Sequence, residues 1–161
     1  MSYNYDHVNI NLARVDNRLI HGQVGMVWTN LSGANLILVV DDPVSEDSFQ
    51  QELMKMTVAT TGVGVRFWKV QQTIDNIWKA APSQRIFIVT KDPIVMNTLV
   101  QAGIPIKEVN LGNMHAAPGK RKYVNEYLYV DDEDMAAIEA MKAKGVSISA
   151  QVLPDQRKIV I

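Results

Sequence analysis

Cysteine is missing from all 161 residues. That excludes disulfides, thiolate nucleophiles and cysteine-ligated zinc, and it suits a reducing compartment. An excess of either charge is missing too: 16 Lys and Arg against 17 Asp and Glu leave a formal net charge of −1. No global field exists to draw in nucleic acid or an anionic membrane. Long apolar runs are also lacking, since LILVV (Leu36 to Val40) is the longest in the interior and falls far short of a membrane span. The start, MSYNYDHVNI, has neither the basic lead nor the apolar core of a signal peptide. A cytoplasmic protein is therefore expected. What is present is ordinary for a globular chain, 47% hydrophobic and 20% charged, and the length suits one domain over residues 1–161.

Strand and helix patterns alternate from end to end. VNINLARV (8–15) alternates apolar and polar as a half-buried strand does, and LILVV, VGVRFW (63–68) and IFIV (86–89) read as further strands. Between them the spacing predicts helices: Val24, Val27, Trp28 and Leu31 on one face, then Phe49, Leu53 and Met56 as core positions of a helix over 45–56, then a short one with Ile74, Ile77 and Trp78. Asp92, Pro93 and Gly103 bracket the next helix with a cap, a first-turn proline and a left-handed stop. KEVNL (107–111) and YLYV (127–130) are strands, and Asp131 to Gly145 is a helix with acids at its start and lysines at its end. VSISAQV (146–152) closes the chain. These units imply an α/β, single three-layer domain: a mainly parallel sheet with helices on both faces and an antiparallel edge. Ligands gather beyond the carboxyl ends of such strands, so the informative loops are 16–22, 41–45, 90–93 and 110–122.

The first of these loops holds the most pointed stretch, RVDNRLIHGQV, residues 14–24. His21 falls where the helix begins, among unpaired amides and a partial positive charge. Arg18 adds a planar fork suited to phosphate oxygens. A neutral imidazole beside an anion cradle is what a phosphoryl-accepting histidine requires, although a histidine that merely starts a helix reads the same way. Asp16 suits either the orientation of the imidazole through its second nitrogen or a tight turn with Asn17. Arg14, by its place in the alternation, is a structural or rim residue.

At this stretch, RVDNRLIHGQVGMVW resembles the phosphorylation-site segment of the IIB component of the mannose/fructose/sorbose family of bacterial sugar phosphotransferase systems. The likeness runs on through LILVVDD, GVGVRFW, VNLGNMH with GK beyond it, and VDDED. It implies a protein-phosphohistidine–sugar phosphotransferase in which His21 takes a phosphoryl group from a phosphohistidine on IIA. From there the group would go to a sugar entering through the membrane components IIC and IID. Asn17, Leu19, Gly22 and Gln23 would cradle the phosphate, with Arg18 as clamp and Asp16 as orienter. IIA is expected as a separate protein, with no cofactor, no metal and no nucleic acid. Whether copies form a homo-oligomer stays open. VGMVW, VRFW, IDNI and NMH are similar to the N-acetylgalactosamine and galactosamine subgroup. Some family members place a basic residue on the helix after the second strand, where this chain has Gln50 and Gln51. Neutralisation would then rest more heavily on Arg18.

Other candidates compete less well. Asp42 and His115 are further candidates for the pocket, each with a solvated loop residue as the plainer reading. Asp41 and Asp42, with Thr90 and Lys91 at another strand end, suggest a receiver module phosphorylated on aspartate, but the third strand ends on Trp68-Lys69 with no acceptor. A metal held by His21, His115 and Asp41 lacks any close-spaced ligand pair. His7 is expected to be inert, and GKRKY (119–123) to be a solvated patch able to meet an acidic partner.

Overall fold

The computed structural model describes residues 3–161. Strand β1 (Asn9–Asp16) leads into α1 (Gly22–Ser32), β2 (Leu36–Val40), a 3-10 turn at Val44–Glu46 and α2 (Ser48–Val58). Then come β3 (Gly64–Trp68), α3 (Val70–Asn76), β4 (Arg85–Thr90), α4 (Pro93–Gln101) and β5 (Glu108–Asn113). A hairpin of β6 (Arg121–Tyr123) and β7 (Asn125–Val130) precedes α5 (Asp132–Ala143), β8 (Ser147–Ala150) and β9 (Ile159–Val160). The main sheet runs β3-β2-β4-β1-β5-β8-β9, with β9 antiparallel on β8 and the other pairs parallel. The α/β layering and its antiparallel edge are as expected. Among the described residues no helix is long and apolar enough to cross a membrane.

The unbroken run in β2 follows from burial on both faces, because successive side chains point to opposite sides. Ile37 and Val39 join Trp28 of α1 and Met54 and Val58 of α2 in one core cluster. Leu38 and Val40 join Met96 and Leu99 of α4 and Ile138 and Met141 of α5 in the other. The punctuation also holds. The Asp92 carboxylate accepts the Val95 N–H at 2.9 Å, Pro93 opens α4, and Gly103 takes φ 101 beyond its end. Asp131 and Asp134 cap α5 reciprocally.

Two helix faces are corrected. On α1, Val27 and Leu31 turn outward while Gly25, Trp28 and Thr29 are buried. On α2, Phe49, Leu53 and Met56 are 69%, 45% and 71% exposed, and the inward residues are Met54 and Val58. The helix starts late, at Ser48, where the Asp47 carboxylate accepts the Gln50 N–H. The sequence 49–58 carries two overlapping apolar stripes, and periodicity alone cannot say which one meets the sheet. YLYV, for its part, pairs with Arg121–Tyr123 in the separate hairpin, is joined to the end of β5 by a Met114–Leu128 bridge, and buries Leu128 and Val130 in the core.

Candidate functional site

The carboxyl ends of β1, β4 and β5 lie side by side: Val15 stands opposite Thr90 on one flank and Leu111 on the other. Just beyond this point the β1–β5 register slips, so that Asp16 pairs with Asn113 and Gly112 becomes an extra residue. Asp16 is the buried hub of the site at 1% exposure. Its Oδ1 accepts the Arg18 backbone N–H at 3.0 Å, and its Oδ2 accepts from His21 Nε2 at 3.1 Å and Arg14 Nη2 at 3.4 Å.

The loop between is held in an unusual backbone. Leu19 sits in the left-handed region at φ 60, and its buried side chain packs in the α1/α2 cluster, which supports the strain. Gly22 follows at φ 46 with nothing near the place of a Cβ, so the demand there is conformational rather than steric. His21 itself takes an extended backbone as the residue preceding α1. Its ring is thus tethered through Nε2 at the head of an eleven-residue helix whose first amides have no intrahelical partner.

Arg14 is structural. It is 2% exposed, bonds the Asn110 side chain and the carbonyls of Gln151 and Val152 at 3.0 and 3.1 Å, and stacks 4.9 Å over Trp28. Burial lowers its pKa to about 10, against the opposing pull of Asp16. A Cβ on Gly112 would lie 2.1 Å from its guanidinium carbon, so the bulge residue has to be glycine.

His21 opens on a cleft of about 600 Å³, walled by the loop from Asn17 to Gly22, by Val44, Gln50 and Leu53, and by Lys91. Of the residues singled out in the sequence, Asn17, Arg18, Leu19, His21 and Gly22 meet there. Gln23 faces solvent in the first turn of α1 and is not on the wall. The Arg18 guanidinium is exposed and has no hydrogen-bond or ion-pair partner among the described residues; only its backbone reaches Asp16. The Asn17 side-chain amide is buried and likewise unpartnered.

The remaining candidates lie elsewhere. Asp42 is not on the cleft wall: its carboxylate accepts the Val70 N–H at 2.8 Å, tying the β2 loop to α3. His115 lines a neighbouring cleft of about 380 Å³ that shares only Asn17 and Lys91 with the first. Among the described residues no three His, Asp or Glu side chains are grouped as metal ligands, so His21, His115 and Asp41 do not converge. In GKRKY, Lys120 bonds Asp134 at 2.9 Å and Arg121 bonds Asp132 at 3.2 Å. Two of the three cations of that patch are thus paired within the chain, and Lys122 is exposed. His7 bonds the Trp78 carbonyl. A smaller cleft of about 310 Å³, lined by Leu36, Leu38, Trp68 and Ile86 with Arg66 and Lys79, holds no histidine or carboxylate. Lys91, which the sequence offered only within the receiver alternative, is a wall residue of the His21 cleft. Its signal was its position, one step past a buried strand at the active edge.

A mainly parallel α/β domain whose cleft opens at a helix head, beyond the carboxyl ends of its strands, belongs to the class of open-sheet folds that bind ligands at that edge. Residues 10–160 match the family model described as PTS system sorbose subfamily IIB component, and the chain belongs to that family. It is 47% identical over 150 residues to the N-acetylgalactosamine-specific phosphotransferase enzyme IIB component 1 of Escherichia coli, covering 93% of this chain and 94% of that one. The crystal structure of that IIB component superposes with a TM-score of 0.90 over 95% of this chain and 99% of its own. The mannose-specific EIIAB component of Escherichia coli is 33% identical over 96% of this chain, which spans 47% of the longer protein.

Proposed function

We propose that the domain is the phosphocarrier of a sugar phosphotransferase system acting on N-acetylgalactosamine or galactosamine. His21 takes the phosphoryl group from phosphorylated IIA and passes it to sugar held by IIC and IID, with the domain a cytoplasmic unit peripheral to that transporter. Membership of the IIB family supports the general reaction. The observation that carries the residue-level reading is the Asp16–His21 contact at the mouth of the cleft. With Nε2–H donated to Asp16, the lone pair is on Nδ1, and Nδ1 is the attacking atom. The donor's P–N bond breaks as the Nδ1–P bond forms, and the positive ring that results is offset by Asp16. In the second step a sugar hydroxyl oxygen attacks phosphorus, its proton leaves, and the bond pair returns to Nδ1. Positioning and charge are what the protein supplies, through the first amides of α1 and Arg18.

The amino-sugar part rests on the 47% identity with the Escherichia coli relative. A carrier meets only the hydroxyl that is phosphorylated, so selectivity resides in the membrane partner. With matched IIA, IIC and IID supplied, N-acetylgalactosamine or galactosamine should be phosphorylated faster than mannose or sorbose. The reverse order would reject the sugar and leave the carrier standing.

Arg18 gives a mechanistic test. A phosphohistidine brings close to two negative charges, and a charge-assisted hydrogen bond contributes about 1.5–3 kcal/mol. Arg18→Gln should slow transfer about 10- to 100-fold, and Arg18→Lys should recover part of the rate because it restores charge but not the fork. Because the guanidinium holds nothing in the unloaded domain, both variants should melt with the wild type. A lower melting point with wild-type transfer would assign Arg18 to the loop's architecture instead.

A further inference from the structure

We propose that Lys91 is the second cation of the phosphoryl site, held by Asp41 while His21 is unloaded and turned to the phosphoryl oxygens once it is loaded. This rests on His21 as the phosphoryl acceptor. Three observations carry it. The β1–β4 register ends with Val15 opposite Thr90, so Lys91 follows directly at the strand end flanking the site loop, and Lys91 walls the same cleft as His21. Its present ion pair is loose: Nζ lies 3.5 Å from Asp41 Oδ2 with the lysine side chain 41% exposed. Asp41 does not depend on it, because the same oxygen accepts the Val44 N–H at 3.0 Å.

Charge makes the exchange favourable. The loaded ring would add nearly two negative charges to a wall that otherwise offers one free cation, Arg18. The one acid on that wall, Asp47, is engaged in capping α2. A single carboxylate holding an exposed lysine cannot match a phosphoryl dianion a short side-chain swing away. Lys91 also borders the second cleft with Asn17, so it stands between the two approaches to the loop. The α2 wall of the cleft offers the neutral Gln50 and leaves this strand-end lysine to complete the charge.

Phosphoramidate, a small donor that needs no partner protein, separates the outcomes. Its P–N bond breaks as Nδ1 of His21 bonds to phosphorus, and ammonia leaves with the bond pair and a proton. Loading would be followed by phosphorus NMR, as a rate and as the titration midpoint of the bound phosphoryl group, in wild type, Lys91→Gln and Lys91→Arg. Lys79→Gln, which removes a positive charge from the separate cleft beside Leu36 and Ile86, is the control. Lys91→Gln should load about tenfold more slowly and titrate at a higher pH than wild type, since a lost cation disfavours the dianion. Lys91→Arg should hold the midpoint near the wild-type value, and Lys79→Gln should match wild type in both. A Lys91→Gln protein with wild-type rate and midpoint overturns the role of Lys91 and leaves His21 as acceptor. A wild type that takes no label on His21 overturns both.

Discussion

After reaction with labelled, phosphorylated IIA, the wild-type domain should keep its label in base and lose it in acid, and His21→Ala should carry none. The acid–base pattern separates a phosphohistidine from an acyl phosphate on aspartate, which base destroys. The expected loss is complete because no second histidine lines the cleft: His115 lies beyond the wall formed by Asn17 and Lys91. The fold should survive, since the His21 side chain is 21% exposed and makes a single hydrogen bond, to Asp16. In the wild type the phosphorus should be on Nδ1, as the Nε2 tether dictates, and ring-nitrogen shifts would read this directly. Label retained on the alanine variant would move the acceptor elsewhere. Label on Nε2 would mean that the Asp16 contact breaks before transfer.

The legible parts of this molecule are those where local chemistry and global fold ask for the same thing. Asp92, Pro93 and Gly103 mark α4 because a cap, a preset φ and a left-handed stop have few other uses in that order. LILVV announced a doubly covered strand because only burial on both sides tolerates five apolar residues in a row. The site loop was legible for a similar reason, with His21, Arg18 and Asp16 adjacent in sequence and placed by one turn. Lys91 was not, because its neighbours in space are set by strand order: β4 flanks β1, and nothing local in TKDP says so. The outward turn of Phe49, Leu53 and Met56 was hidden by the twin stripe on α2. The β6–β7 hairpin was hidden because charged residues in RKY read as a loop until Asp132 and Asp134 of α5 are seen to neutralise Arg121 and the preceding Lys120.

The second large effect is on stability and falls on Arg14. Removing one partner of a buried ion pair leaves the other uncompensated, and such losses run at about 3–5 kcal/mol. Arg14→Met should lose an amount of that order, because it strands Asp16, the Asn110 side chain and two carbonyls that the guanidinium now satisfies. For a chain of this length that corresponds to a melting point lowered by roughly 6–20 °C. Gly112→Ala should be costly for the same reason from the other side, since its methyl would occupy the guanidinium's place and displacing that tip breaks its bonds to Asn110, Asp16 and the two carbonyls. The two changes act on one contact, so they should not add. In the Arg14→Met background a flexible thioether can move aside, and Gly112→Ala should then cost much less than it does in the wild type. Transfer by Arg14→Met at low temperature should also fall, because Asp16 orients His21 and would have lost the cation that fixes its own position. Additive melting losses in the double variant would mean that the bulge at Gly112 serves the β1–β5 register independently of Arg14.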